Sequence, residues 1–64
     1  MITIYERKDV RLGEDGNPIT AMELRGLSTD EKPTENIDNG SSFIEIDTGK
    51  IYMFDLENEE WKEI

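Results

Sequence analysis

Residues 43–61 read FIEIDTGKIYMFDLENEEW, and how this stretch pairs with itself decides the fold. β-branched and aromatic residues alternate with polar ones on both sides of Thr48-Gly49, the pattern of a β-hairpin. With Thr48-Gly49 at the tip, Ile46 faces Ile51, Glu45 faces Tyr52, Ile44 faces Met53 and Phe43 faces Phe54. A four-residue loop over 47–50 keeps the same pairing, whereas a three-residue loop with a bulge shifts it by one and mixes the faces. One face then carries Ile44, Ile46, Ile51 and Met53, and suits a buried core. The other carries Phe43, Glu45, Asp47, Lys50, Tyr52 and Phe54. After a second polar turn, LENEE, residues 61–64 return as a third antiparallel strand, with Trp61 and Glu63 on one side and Lys62 and Ile64 on the other. The expectation for 43–64 is a three-stranded meander.

Two readings of the aromatic face stand side by side. Aromatic residues in strands most often pack against their own chain. A short chain has little with which to cover them, so Phe43, Tyr52, Phe54 and Trp61 are also the candidates for an interaction surface.

Upstream, residues 28–42 read STDEKPTENIDNGSS, with Ile37 the one aliphatic side chain among them. Ser28 and Glu31 have capping-box spacing, but Pro33 and the lack of apolar periodicity oppose a helix. An irregular stretch of this length is uncommon inside a compact domain. It is expected to be an extended arm that lies along another chain. Further back, Met1–Tyr5 reads as a strand that Arg7–Leu12 extends or follows. The turn signal GEDGNP occupies 13–18, and Ile19–Leu24 is the returning strand. The predicted class is all-β: a small antiparallel sheet forming a single domain over 1–64. Within it, 1–27 supply N-terminal strands, 28–42 the arm and 43–64 the meander.

Composition narrows the function. Sixty-four residues form one domain at most, with a marginal core, and there is neither cysteine nor histidine to staple it. Oligomerisation or docking on a larger partner is the remaining compensation. Sixteen acidic residues against seven basic ones give a formal net charge of -9, which opposes contact with nucleic acid phosphates. No apolar run approaches the ~20 residues that span a bilayer, and MITIYERKDV is unlike a signal peptide. The expectation is a soluble product made in the cytoplasm, with no membrane partner.

No catalytic constellation emerges. Ser28, Ser41 and Ser42 have no histidine as base, and Lys32 and Lys50 sit in polar turns with no sign of burial. Carboxylate pairs are inevitable at this acid content and indicate no glycosidase. Asp55 to Glu59 alternates oxygen ligands as a calcium loop does, but Glu60 stands where such a loop needs glycine. Asp15-Gly16-Asn17 reads as a turn. No enzyme activity, cofactor or metal is expected.

The run NGSSFIEIDTGKIYMFD over 39–55, closed by Trp61, resembles a module of tailed-bacteriophage and prophage virion proteins. Its pattern is glycine, a small polar residue, an aromatic, then D-T-G-K, an aliphatic, a tyrosine, and a tryptophan after an acidic turn. GLSTDEKPT over 26–34 resembles the segment that leads into it. The resemblance covers residues 26–64. It implies a virion component of the capsid-decoration, head-fibre or tail-fibre type, with no catalytic residues. Its partners would be other capsid or fibre subunits, in a homo-oligomer or a larger assembly. Two other functions fit parts of the chain. One is a small acidic inhibitor that mimics nucleic acid against a basic protein. The other is a carbohydrate-binding module that stacks sugars on Tyr52, Phe54 or Trp61.

Overall fold

A computed structural model describes all residues from Met1 to Ile64. The chain is all-β, with strands β1 (Thr3–Leu12), β2 (Pro18–Gly26), β3 (Ser42–Glu45), β4 (Ile51–Asp55) and β5 (Glu60–Glu63). They form one five-stranded sheet in the order β1-β2-β3-β4-β5. Three of the four pairings are antiparallel, and β2 with β3 is parallel.

The β1–β2 hairpin closes where the glycines and Asp15 dictate. Gly13 N–H donates to Asn17 O at 2.8 Å, Gly16 takes a φ of 82°, and the Asp15 carboxylate accepts from Asn17 N–H at 3.0 Å. Opposite Leu24 and Met22 the ladder is broken by bulges at Tyr5 and Lys8. Every residue of β1 remains exposed.

A parallel pair cannot be joined by a tight turn, because the chain must return to the end from which it started. Residues 27–41 make that return without a helix, and this determines which face is buried. The crossover runs over the face that holds Met22, Leu24, Phe43, Phe54 and Trp61. Ile37 bridges to Thr20 in parallel, with Thr20 N–H donating to Asn36 O and Asp38 N–H to Thr20 O, both at 3.0 Å. Ile37 enters the core with Leu24, Phe43 and Phe54, and Ile2, Met22, Tyr52, Leu56 and Trp61 pack around them. The 28–42 segment is irregular, as its composition suggests, but it folds back as the lid of its own sheet. Its one aliphatic side chain anchors it.

The β3–β4 register differs from the expected one by two residues. Phe43 pairs with Tyr52, Ile44 with Ile51 and Ser42 with Met53. The loop is 46–49, closed by Glu45 N–H to Lys50 O and Gly49 N–H to Glu45 O, each 2.8 Å. Side chains hold it from within and from the neighbouring crossover. Thr48 Oγ1–H donates to Glu45 Oε1 at 2.6 Å, and Ser28 donates N–H and Oγ–H to the Asp47 carboxylate at 2.9 and 2.6 Å. A slip by an even number leaves each side chain on its expected face. Burial, however, is the reverse of the expectation. Phe43 and Phe54 are 0% and 2% exposed, while Ile46, Ile51 and Met53 are 66%, 44% and 45% exposed. The aromatic face is the core because the crossover lands on it, and two buried phenyl rings remove more apolar area from water than the isoleucines could.

Candidate interaction surface

The four aromatic residues expected at an interaction surface are internal or half-internal. Phe43 and Phe54 are enclosed, so neither can meet a partner in the folded chain. Trp61 and Tyr52 are half-buried. The Trp61 ring meets Phe43 edge-on at 5.9 Å between centroids and Phe54 at 5.1 Å, and its Nε1–H donates to Pro33 O at 2.8 Å. That bond ties the crossover to β5 and satisfies the one polar atom of the indole.

Lys32 lies beside this cluster, partly buried, against the expectation of an exposed turn. Its ammonium is 4.4 Å from the Tyr52 ring centroid and 4.8 Å from that of Phe43, and it donates to Glu45 Oε2 at 2.6 Å. Glu45 is 4% exposed. The hydrogen bond from Lys32, and then that from Thr48, holds its carboxyl below the usual range against the opposing effect of desolvation. A second pair closes the other end of the crossover. Arg11 on β1 forks onto Asp38, Nε to Oδ2 and Nη2 to Oδ1, both 2.8 Å. The Arg11 hydrogen bond is the main reason that the Asp38 carboxyl lies below its ordinary value. Ser41 is buried with both roles of its hydroxyl used, accepting from Met22 N–H at 3.1 Å and donating to Asp38 O at 2.9 Å. These groups fasten a lid.

The acidic turns fasten themselves in the same way. The Asp55 carboxylate accepts from Asn58 Nδ2–H at 2.8 Å, and Asp15 accepts from the Asn17 side chain at 3.1 Å. Together with Glu14, Glu35, Glu57 and Glu59 these residues line a wide acidic cleft at one end of the sheet. No three acidic side chains there converge as a metal site.

The opposite face of the sheet has no covering layer. Cross-strand pairing places Arg25, Ile44 and Ile51 in one row, and Glu23, Ser42, Met53 and Lys62 in the next. Ile64 joins the first row through its N–H, which donates to Ile51 O at 2.9 Å. The result is a contiguous apolar patch of Ile44, Ile51, Met53 and Ile64, with Ile46 above it in the hairpin loop. A single antiparallel sheet commonly solvates one face, but that face is then polar. Here it is aliphatic at its centre. The sequence contained the signal in its alternating isoleucines, which read equally well as a core. In comparisons with known proteins, no family model, no curated protein and no solved structure matches this chain.

Proposed function

We propose that this protein is a non-enzymatic structural component of a tailed-phage virion, of the capsid-decoration or head-fibre type, that docks on neighbouring subunits. The observation that carries the assembly part of this reading is the exposed aliphatic face of Ile51, Met53 and Ile64, with Ile44 half-buried among them. A chain with so small a core leaves this area uncovered, and association would remove it from water at about 25 cal/mol per Å². The virion part rests on the resemblance of residues 26–64 to phage modules. Sugar stacking has less support than the sequence alone suggested, since Phe54 is enclosed and Tyr52 and Trp61 are half-buried against the core.

The test is to purify the virions and count copies of the chain per particle, then repeat with Ile51→Glu. Assembly predicts a copy number that matches capsid or tail symmetry, and loss of the variant from particles while its isolated fold survives. Absence of the chain from virions, or undiminished incorporation of the variant, would sink the reading.

A further inference from the structure

The charges around the bare face are arranged differently from those elsewhere on the molecule. Its two central rows carry Glu6 on β1, Glu23 and Arg25 on β2, and Lys62 on β5. Opposite signs balance there, although the chain as a whole stands at -9. The acid excess gathers instead at the cleft end, in Glu14, Asp15, Glu35, Asp55, Glu57 and Glu59. A basic partner would be drawn to that end. The two central rows of the bare face offer no net charge to attract it and none to repel a second copy.

Arg25 adds an independent sign. Its guanidinium carbon lies 3.7 Å from the centroid of the Tyr5 ring, and its Nε is buried with no hydrogen-bond partner. No carboxylate of its own chain pairs with it. The cation is stacked, oriented and unpaired beside the apolar patch, the situation of an arginine that meets its carboxylate across an interface.

We propose that the bare face is a symmetric dimer interface, on which the Glu23, Arg25, Ile44, Ile51, Met53 and Ile64 surface packs against the same surface of a second copy. This rests on the assembly reading and specifies its contact. Arg25 and Ile51 share one cross-strand row, and Glu23 and Met53 share the next. A two-fold axis lying between the sheets, across the strands and midway between the rows, exchanges the two rows. It therefore sets each Arg25 over the partner's Glu23 and each Ile51 over the partner's Met53 at the same time. Ile64 then lies over the aliphatic stem of the partner's Lys62. The two sheets become the layers of a sandwich about 10 Å apart. Such an interface is self-complementary in both shape and sign, as two-fold symmetry requires.

Sedimentation of the full chain from micromolar to millimolar concentration tests this, alongside Arg25→Glu, Glu23→Arg, the double reversal and Met53→Glu. The wild type is expected to dimerise, and Met53→Glu to be monomeric with an unchanged circular-dichroism spectrum. Each single charge reversal should weaken the dimer about tenfold or more, by setting like charges against each other. The double reversal restores opposite signs at both contacts and should recover most of that loss. A wild type that stays monomeric at millimolar concentration overturns the dimer, as does a dimer indifferent to the single reversals or not recovered by the double one. Particle incorporation of Met53→Glu separates the two proposals. If the wild type is monomeric and the variant is excluded from virions, docking stands with another virion protein as occupant. If the variant is incorporated as well, both fall.

Discussion

The two faces of the β2–β5 sheet are built from the same strands and comparable apolar residues, yet one is a core and the other is bare. Phe43 and Ile44 are adjacent in the chain. One is fully enclosed, and the other is half-buried beside the exposed Ile51, Met53 and Ile64. What separates them is the route of residues 27–41, which must cross one face because β2 and β3 run parallel. Apolar character makes a surface available for burial, and topology selects which surface is buried within the chain. The unselected face remains exposed.

The sharpest way to break this contrast is to truncate one residue on each face. Phe43→Ala removes a ring at the centre of the cluster and should cost about 3–5 kcal/mol. That is most of the roughly 3–10 kcal/mol expected for a chain of this length, so the variant should be largely unfolded at ambient temperature. Ile51→Ala, measured where the chain is monomeric, should cost under about 1 kcal/mol. Denaturant midpoints of the two variants check this, and equal losses would mean that the isoleucine face is also internal.

A second effect lies in how the lid is fastened. Glu45, Asp38 and Asp47 all have folded-state carboxyls held below their ordinary values, by Lys32, Arg11 and Ser28 respectively as first cause. A depressed carboxyl contributes stability that is present above its unfolded value and lost as pH falls through the folded one. The fastening should therefore hold at neutral pH and weaken below the ordinary values, 4.5 for glutamate and 3.8 for aspartate. Urea midpoints should fall between pH 6 and pH 3. Glu45→Gln should start lower at pH 6 and lose less on acidification. A midpoint that rises on acidification would show relief of the acid excess outweighing the lid.

The smallest effect sits in the β4–β5 turn, where Glu59 adopts a φ of 52°. A side chain in that region costs about 1–2 kcal/mol, part of which glycine gives back through its looser unfolded chain. Glu59→Gly should raise stability by roughly 0.5 kcal/mol. A lower melting temperature for that variant would mean that the glutamate side chain compensates for its own backbone.

The strands themselves were legible in the sequence. GEDGNP, DTGK and LENEE punctuate it where the turns fall, and period-two alternation runs on both sides of DTGK. The parallel joining of β2 to β3 was not, because no local pattern reports which distant strand a strand will meet. The crossover then hid everything that depended on it: the covered face, the fate of the four aromatics and the partial burial of Lys32. Ile37 was the available clue. A lone aliphatic residue in a polar segment identifies the point at which that segment touches a core. The β3–β4 register escaped for a different reason. Thr48-Gly49 looks like a two-residue tip, but Asp47 is pulled towards Ser28 and Thr48 towards Glu45, and the loop widens to accommodate both.

The bulges at Tyr5 and Lys8 bear on how large an assembly of this chain becomes. An open sheet has two unpaired margins, and flat margins invite strand after strand into a filament without end. Here β1 is kinked at two points and carries arginine and lysine outward, while β5 is four residues long and mostly charged. Both margins discourage addition of strands. Under the proposed dimer, growth would be directed to the flat side of the sheet, where a two-fold contact uses up its own surface and stops. With the two-fold contact proposed above, these margins would favour assemblies of definite number.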